Sequence, residues 1–194
     1  MKNMSLAAIT AACNGTYHGD EALLTKEVSS VVIDSRKVEK DSLFIAIKGA
    51  RVDGHDFIPS VMKKGALCAL SEKVLDNADF SYIVVEDCKA ALKAVAEYYR
   101  RSLDIKVVGI SGSVGKTSTK EMIASVLKQK YNVLKTAGNF NNEIGLPLTI
   151  FNIREEHEVA VLEMGISGFG VMTRLAKMAR PDICVITNIG CVHL

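Results

Sequence analysis

Between residues 105 and 129 an apolar run, a glycine-bearing turn and an amphipathic segment follow one another without a break. No other stretch so narrows what this chain can fold into. Lys106-Val-Val-Gly-Ile110 has the composition of a strand buried on both faces. Ser111-Gly-Ser-Val-Gly-Lys-Thr-Ser118 comes next, and from Thr117 to Gln129 the apolar residues Met122, Ile123, Val126 and Leu127 recur at helical spacing. Strand, loop and helix in that order open a parallel nucleotide-binding sheet.

The loop ends in the residues that a phosphate cradle requires. Gly112 and Gly115 let the backbone N–H groups around Ser113 and Val114 turn inward, Lys116 neutralises phosphate oxygens, and Thr117 offers a hydroxyl to Mg²⁺. Thr117 and Ser118 open the helix, whose positive end favours an anion. The spacing departs from GxxxxGK[ST] by one place, because Ile110 stands where the first glycine would. The reading is a triphosphate site for ATP with Mg²⁺. The loop alone also permits a phosphotransfer enzyme acting on a small alcohol.

The rest of the second half continues the alternation. Strands are expected at Val159–Leu162 and Ile183–Thr187, with a helix at Val171–Ala179 stopped before Pro181. Thr136 to Pro147 reads as a long Gly/Asn-rich loop beside the ATP site. Asn139 and Asn142 in it carry amides able to donate and accept, suited to a phosphate oxygen or a bound carboxylate; a plain Asn-rich turn is the alternative, and the position of the loop beside the ATP site favours function. Glu163 closes its strand at the carboxyl edge of a parallel sheet, where a carboxylate is placed to hold Mg²⁺.

The first half has a different texture. Ser30–Ile33, Leu43–Ile47, Ala66–Leu70 and Tyr82–Val85 read as strands, Asp56–Lys64 and Lys89–Arg100 as helices, and Met1–Ser29 only as a helix before the turn Asn14-Gly15. The polar junction Arg100-Arg-Ser-Leu-Asp104 marks a boundary near 102. The expected organisation is thus α/β throughout, with a small module at 1–102 and the first part of a parallel-sheet ATP-binding domain at 103–194.

Charge excludes some partners. Net charge is +2, from 24 basic and 22 acidic residues, and no basic run exceeds a pair, so neither nucleic acid nor an anionic membrane is expected. No apolar run reaches membrane-spanning length, and no signal peptide is visible. The five cysteines have irregular spacing, no CxxC pair and mostly apolar neighbours, which reads as small core residues in a reducing, cytoplasmic setting.

Gly109, Gly112 and Gly115 followed by Lys-Thr-Ser-Thr119 resemble the ATP loop of the Mur ligases and their relatives, the folylpolyglutamate synthases and cyanophycin synthetases. Thr136-Ala-Gly-Asn-Phe-Asn-Asn-Glu-Ile-Gly-Leu-Pro147, Val161-Leu-Glu-Met-Gly165, Ile186-Thr-Asn-Ile-Gly190 and Val192-His-Leu194 are similar to the branch that adds a D-alanyl-D-alanine dipeptide. Asp34-Ser-Arg36, Leu43-Phe-Ile-Ala-Ile-Lys-Gly49 and Arg51-Val-Asp-Gly-His55 resemble the family's uridine-nucleotide-binding domain.

The resemblance implies an ATP-dependent amide-bond ligase working through an acyl phosphate, with UDP-N-acetylmuramoyl-tripeptide and D-alanyl-D-alanine as substrates. It implies that Lys116, Glu163, Asn142 and His193 are catalytic, that Thr117, Glu163 and His193 hold metal, and that Ser35, Arg36, Arg51, Asp53 and His55 contact the uridine nucleotide. Asp34-Ser35 and Asp53-Gly-His55 also fit plain capping turns. Family members continue past the equivalent of Leu194 through the rest of the ATP domain and a C-terminal domain, so residues 1–194 alone are expected to bind nucleotides without completing the amide bond.

Overall fold

The computed structural model describes residues 1–190. Its contacts divide the chain between Val95 and Ala96 into two units, each built on its own sheet.

The first unit opens with α1 (Leu6–Ala12), capped by the Ser5 hydroxyl, which accepts from Ala8 N–H at 3.2 Å. There follow β1 (Thr16–His18), β2 (Val31–Val32), β3 (Leu43–Ile45), α2 (Ile58–Lys63), β4 (Cys68–Ser71), β5 (Tyr82–Val84) and α3 (Cys88–Arg101), a helix that runs across the division. The sheet order is β1-β5-β4-β3-β2, with β2 to β5 parallel and β1 antiparallel on the β5 edge. Phe44, Ala46, Ala69 and Tyr82 pack with Ile58 and Val61 of α2 to form one face of the core. Because β2 to β5 run the same way, the segments after them share one sheet edge, where open α/β sheets place their ligands.

Sequence and structure differ here in detail. The expected helix from Asp56 begins as a 3₁₀ turn at Gly54–Phe57 and becomes α-helical only at Ile58, with Pro59 in the first turn. β1 has just three residues with little apolar alternation, so no period announced it; His18 is held there by stacking on Tyr82, with ring centroids 4.8 Å apart.

The second unit contains β6 (Lys106–Ser111), α4 (Lys116–Leu127), β7 (Val133–Lys135), α5 (Gly145–Ile150), β8 (Val159–Glu163), α6 (Val171–Ala179) and β9 (Ile183–Ile186). Its strands are all parallel, in the order β7-β8-β6-β9. β6 and β8 are central, and Val108, Ile110, Val159 and Val161 pack with Ala124 and Val133. Two expected features shift. The long loop from Thr136 is cut short by α5, where Gly145 is needed because a Cβ would meet Phe140 Cα at 2.5 Å. On α4, Met122 and Val126 are 70% and 72% exposed, and the fully buried positions are Lys120 and Ala124. Of the expected stripe, Ile123 and Leu127 pack against the sheet core, while Met122 and Val126 face outward.

Arg100, read as part of a polar junction, is instead 6% exposed. Its guanidinium donates to Ala179 O at 2.9 Å, Arg180 O at 3.2 Å, and Leu103 O and Ile105 O at 3.3 Å. A fork of five donors ties the chain entering β6 to the end of α6. The cysteine reading also needs one correction. Cys68 and Cys88 are buried and Cys13 is half-buried, but Cys184 is exposed on β9; Cys191 lies outside the described residues. None of the described helices is long and apolar enough to cross a membrane.

Candidate functional site

The loop between β6 and α4 is shaped by two glycines for different reasons. At Gly112, with φ +135°, a Cβ would sit 2.1 Å from Thr187 Oγ1. Gly115, with φ +84°, is the left-handed residue that caps α4. Ile110 is fully buried and paired in register with Glu163 on one side and Val185 on the other, so the strand continues through the position where GxxxxGK[ST] would turn.

A segment that sequence reading left without a role braces this loop. Ser113 N–H donates to Asn188 O at 3.1 Å and Val114 N–H to Asn188 Oδ1 at 3.0 Å. Thr187 Oγ1 donates to Val114 O at 2.5 Å, and Ser113 Oγ exchanges hydrogen bonds with Gly190, 3.0 Å to its O and 2.9 Å from its N. The N–H groups of Ser113 and Val114, expected to face phosphate, are therefore held by Asn188, and a phosphate that uses them must displace it. Lys116 folds back over the loop, its Nζ donating to Gly112 O at 2.7 Å and Ser113 O at 3.4 Å. Ser118 is exposed in the first turn of α4.

Glu163 is 2% exposed at the end of β8, and its carboxylate collects side chains from three places. Thr117 Oγ1 donates at 3.1 Å to Oε2 and 3.3 Å to Oε1; Asn141 Nδ2 donates to Oε1 at 2.8 Å; Lys120 Nζ lies 3.5 Å from Oε2. Its backbone N–H donates to the buried Thr136 hydroxyl at 2.9 Å, which fixes the strand end against the loop. The expected pairing of Thr117 with Glu163 is present. One carboxylate with a hydroxyl beside a phosphate loop fits Mg²⁺, which takes few protein oxygens and completes its shell with phosphate and water. Among the described residues no group of three acidic, His or Cys side chains could hold a metal. His193 lies outside the described residues.

Asn139 and Asn142, read from the sequence as contacts for a phosphate oxygen or a bound carboxylate, are not hydrogen-bonded to Glu163. Asn142 Oδ1 accepts from Ile144 N–H at 3.1 Å and Gly145 N–H at 2.8 Å, so its amide carbonyl caps the turn into α5. Asn139 is exposed, and its carbonyl accepts from Asn141 N–H at 2.7 Å. The residue that sequence reading missed is Asn141 between them. Its signal was faint, since only the turn geometry decides which of three neighbouring amides points inward.

In the first unit the expected nucleotide residues follow β2 and β3, on the carboxyl edge of that sheet. Asp34 accepts from Arg36 N–H at 3.0 Å and takes its guanidinium with two bonds, 2.9 Å and 2.8 Å. That charge-assisted pair holds the Asp34 carboxyl well below the usual carboxylate range and pushes Arg36 up, while the Arg36 side chain stays 86% exposed. Ser35 is half-buried, its carbonyl accepting from Lys64 Nζ at 3.0 Å, and Arg51 is exposed.

His55 departs from the nucleotide reading. Its ring is buried, Nδ1 donates to Asp53 Oδ1 at 2.6 Å, and Nε2 accepts from Glu72 N–H at 3.0 Å. With both nitrogens engaged inside the protein, His55 ties the Gly54–Phe57 turn to the end of β4. Asp53 Oδ1 also accepts from His55 N–H at 3.0 Å, and these two bonds lower the Asp53 pKa. A depressed folded pKa gives stability that is present above the unfolded value and is lost as pH falls through the folded one. His55→Ala is expected to cost the first unit about 2 kcal/mol by removing a buried ring together with its hydrogen bonds to Asp53 and the Glu72 N–H, and to shrink the loss of stability that the wild type shows on acidification below about pH 4. Urea unfolding at two pH values checks both.

The profile of the Mur ligase middle domain matches residues 110–194, and that of the Mur ligase family catalytic domain matches residues 27–103. The UDP-N-acetylmuramoyl-tripeptide--D-alanyl-D-alanine ligase of Bacillus subtilis (strain 168) is 44% identical over 169 residues, 86% of this chain and 37% of that protein. The crystal structure of MurF from Acinetobacter baumannii superposes with a TM-score of 0.90 at 35% identity, covering 98% of this chain and 42% of that one. MurF ligase from Thermotoga maritima, solved in complex with ADP, has a TM-score of 0.78 at 41% identity, covering 85% and 38%. The chain thus spans about two fifths of the length of these relatives.

Proposed function

Because the chain belongs to the Mur ligase family, we propose that the protein carrying it joins D-alanyl-D-alanine to UDP-N-acetylmuramoyl-tripeptide with ATP, through an acyl phosphate. Similarity to ligases of that name supports the substrates. The observation that carries the chemistry is the meeting of Thr117, from the phosphate loop, with the buried Glu163 at the end of the neighbouring strand.

A carboxylate and an amine do not condense in water, so the carboxylate must first be made a better acyl donor. In the proposed site the loop of Gly112 to Ser118 receives the phosphates, and Lys116, already poised at its mouth, follows the charge that develops on the transferring group. Thr117 and Glu163 would hold Mg²⁺, which supplies charge neutralisation to phosphate oxygens when bound. Asn141 orients Glu163 from one side, and Thr136 fixes its backbone from the other. Asn188 releases Ser113 and Val114 N–H as phosphate enters.

Residues 1–102 are proposed as the module for the uridine-linked precursor, with Ser35, Arg36 and Arg51 on its sheet edge as contacts and 103–194 as the ATP-binding part. The exposed Arg36, preorganised by Asp34, carries this assignment. Titration calorimetry with UDP-N-acetylmuramoyl-tripeptide, and with the same sugar peptide lacking UDP, tests it. Binding of the first is expected to be at least about tenfold tighter, and Arg36→Ala is expected to erase most of the difference, a charge-assisted phosphate contact being worth about 1.5–3 kcal/mol. Equal binding of the two ligands would remove the module from nucleotide recognition.

A further inference from the structure

Lys120 is a buried charge to which the phosphate-loop reading gives no task. It stands one helical turn after Lys116 on α4, and its side chain is 1% exposed. Its ammonium lies 3.5 Å from Glu163 Oε2, 3.5 Å from Glu121 Oε1 and 3.5 Å from Gly138 O. Buried ammonium groups normally gather shorter charge-assisted bonds, about 2.7–2.9 Å. Here the charge is balanced, yet no partner locks it. The two carboxylates also differ in setting: Glu163 is 2% exposed within the site, whereas Glu121 is 48% exposed at its rim and pairs with Lys135 as well.

Resting on the reading that Thr117 and Glu163 hold Mg²⁺, we propose that Lys120 is a placeholder cation for that metal. In the metal-free site its ammonium balances Glu163, which would otherwise be a carboxylate buried without a counter-charge. When a divalent cation takes Glu163, its repulsion of an ammonium on the same carboxylate favours the other two partners, and the ammonium passes to Glu121 and the Gly138 carbonyl. The transfer is short because the second carboxylate is already as close as the first. Lys120 thereby opposes entry of the metal alone and permits it when nucleotide phosphates bring compensating negative charge. It makes metal and nucleotide bind together. Lys120 is a positioning residue in this account.

The test follows ADP binding by calorimetry at increasing Mg²⁺, and needs no turnover. Lys120→Gln, which keeps a hydrogen-bond donor and removes the charge, is expected to lower the half-saturating Mg²⁺ concentration roughly fivefold or more, as removal of a nearby like charge requires. Glu121→Gln alters only the rim, so it leaves the core intact; by removing the second anchor it is expected to raise the Mg²⁺ requirement several-fold. A Lys120 that merely holds the fold predicts neither opposite shift. An unchanged or raised requirement in Lys120→Gln overturns the proposal, as does an unchanged one in Glu121→Gln. If the wild type binds ADP with no dependence on Mg²⁺, the metal reading fails and this inference with it; a Mg²⁺-dependent wild type with unmoved variants overturns this inference alone.

Discussion

Lys116→Ala is expected to cut the ATP-dependent turnover of the intact protein by about a hundredfold or more, the loss of roughly 3 kcal/mol that follows when one preorganised charge is withdrawn from a transition state. The structure shows why the loss should fall on chemistry rather than on folding. Among the described residues Lys116 donates only to the carbonyls of Gly112 and Ser113, within its own loop, and it is half-exposed. Thermal unfolding of the variant should therefore stay close to that of the wild type. Turnover within a few-fold of the wild type would mean that phosphate charge is met by another group.

Gly112→Val is expected to abolish nucleotide binding while leaving the first unit intact. The added side chain would begin 2.1 Å from Thr187 Oγ1 and 3.0 Å from the Asn188 backbone, and φ of +135° is itself a conformation that valine resists. Either the loop or the Thr187–Gly190 segment must move, and both frame the cradle. Gly115→Ala makes an instructive partner. Its Cβ would have Thr187 Cβ no nearer than 3.9 Å, so the penalty there is one of backbone conformation alone, about 1–2 kcal/mol. ADP titration against both variants checks the order; retained binding in Gly112→Val would show that the loop is more pliable than its packing suggests.

Much of this arrangement could be read from the residues because parallel sheets write themselves as apolar runs. Lys106–Ser111 and Val159–Glu163 are continuous buried strands, and a phosphate loop must follow the first and a carboxylate can close the second. That order puts Thr117 and Glu163 on one sheet edge, but their meeting also needs β8 to lie directly against β6, ahead of β7, which chain order does not reveal. What escaped was whatever depends on side-chain direction within a turn or on short elements. Asn141 and Asn142 are adjacent and chemically identical, and only the start of α5 at Gly145 decides that one amide caps a helix and the other reaches the carboxylate. Lys120 escaped because an apolar stripe of Met122 and Val126 suggested a different buried face. His55 read as a ligand contact through the resemblance carried by the stretch from Arg51 to His55; its neighbour Asp53 already offered a local partner, but the Glu72 N–H that occupies the second ring nitrogen lies past β4, beyond the reach of local sequence.

The central claim is that the phosphate loop and Glu163 serve amide-bond formation on a uridine-linked peptide. It is tested most directly by supplying the intact protein with ATP, Mg²⁺, UDP-N-acetylmuramoyl-tripeptide and D-alanyl-D-alanine, and following ADP release together with the mass of the product. One ADP for each new amide bond, with release that stops when either peptide substrate is withheld, is the predicted result. ADP release that persists without the uridine-linked peptide, or that tracks phosphorylation of a small alcohol, would contradict it.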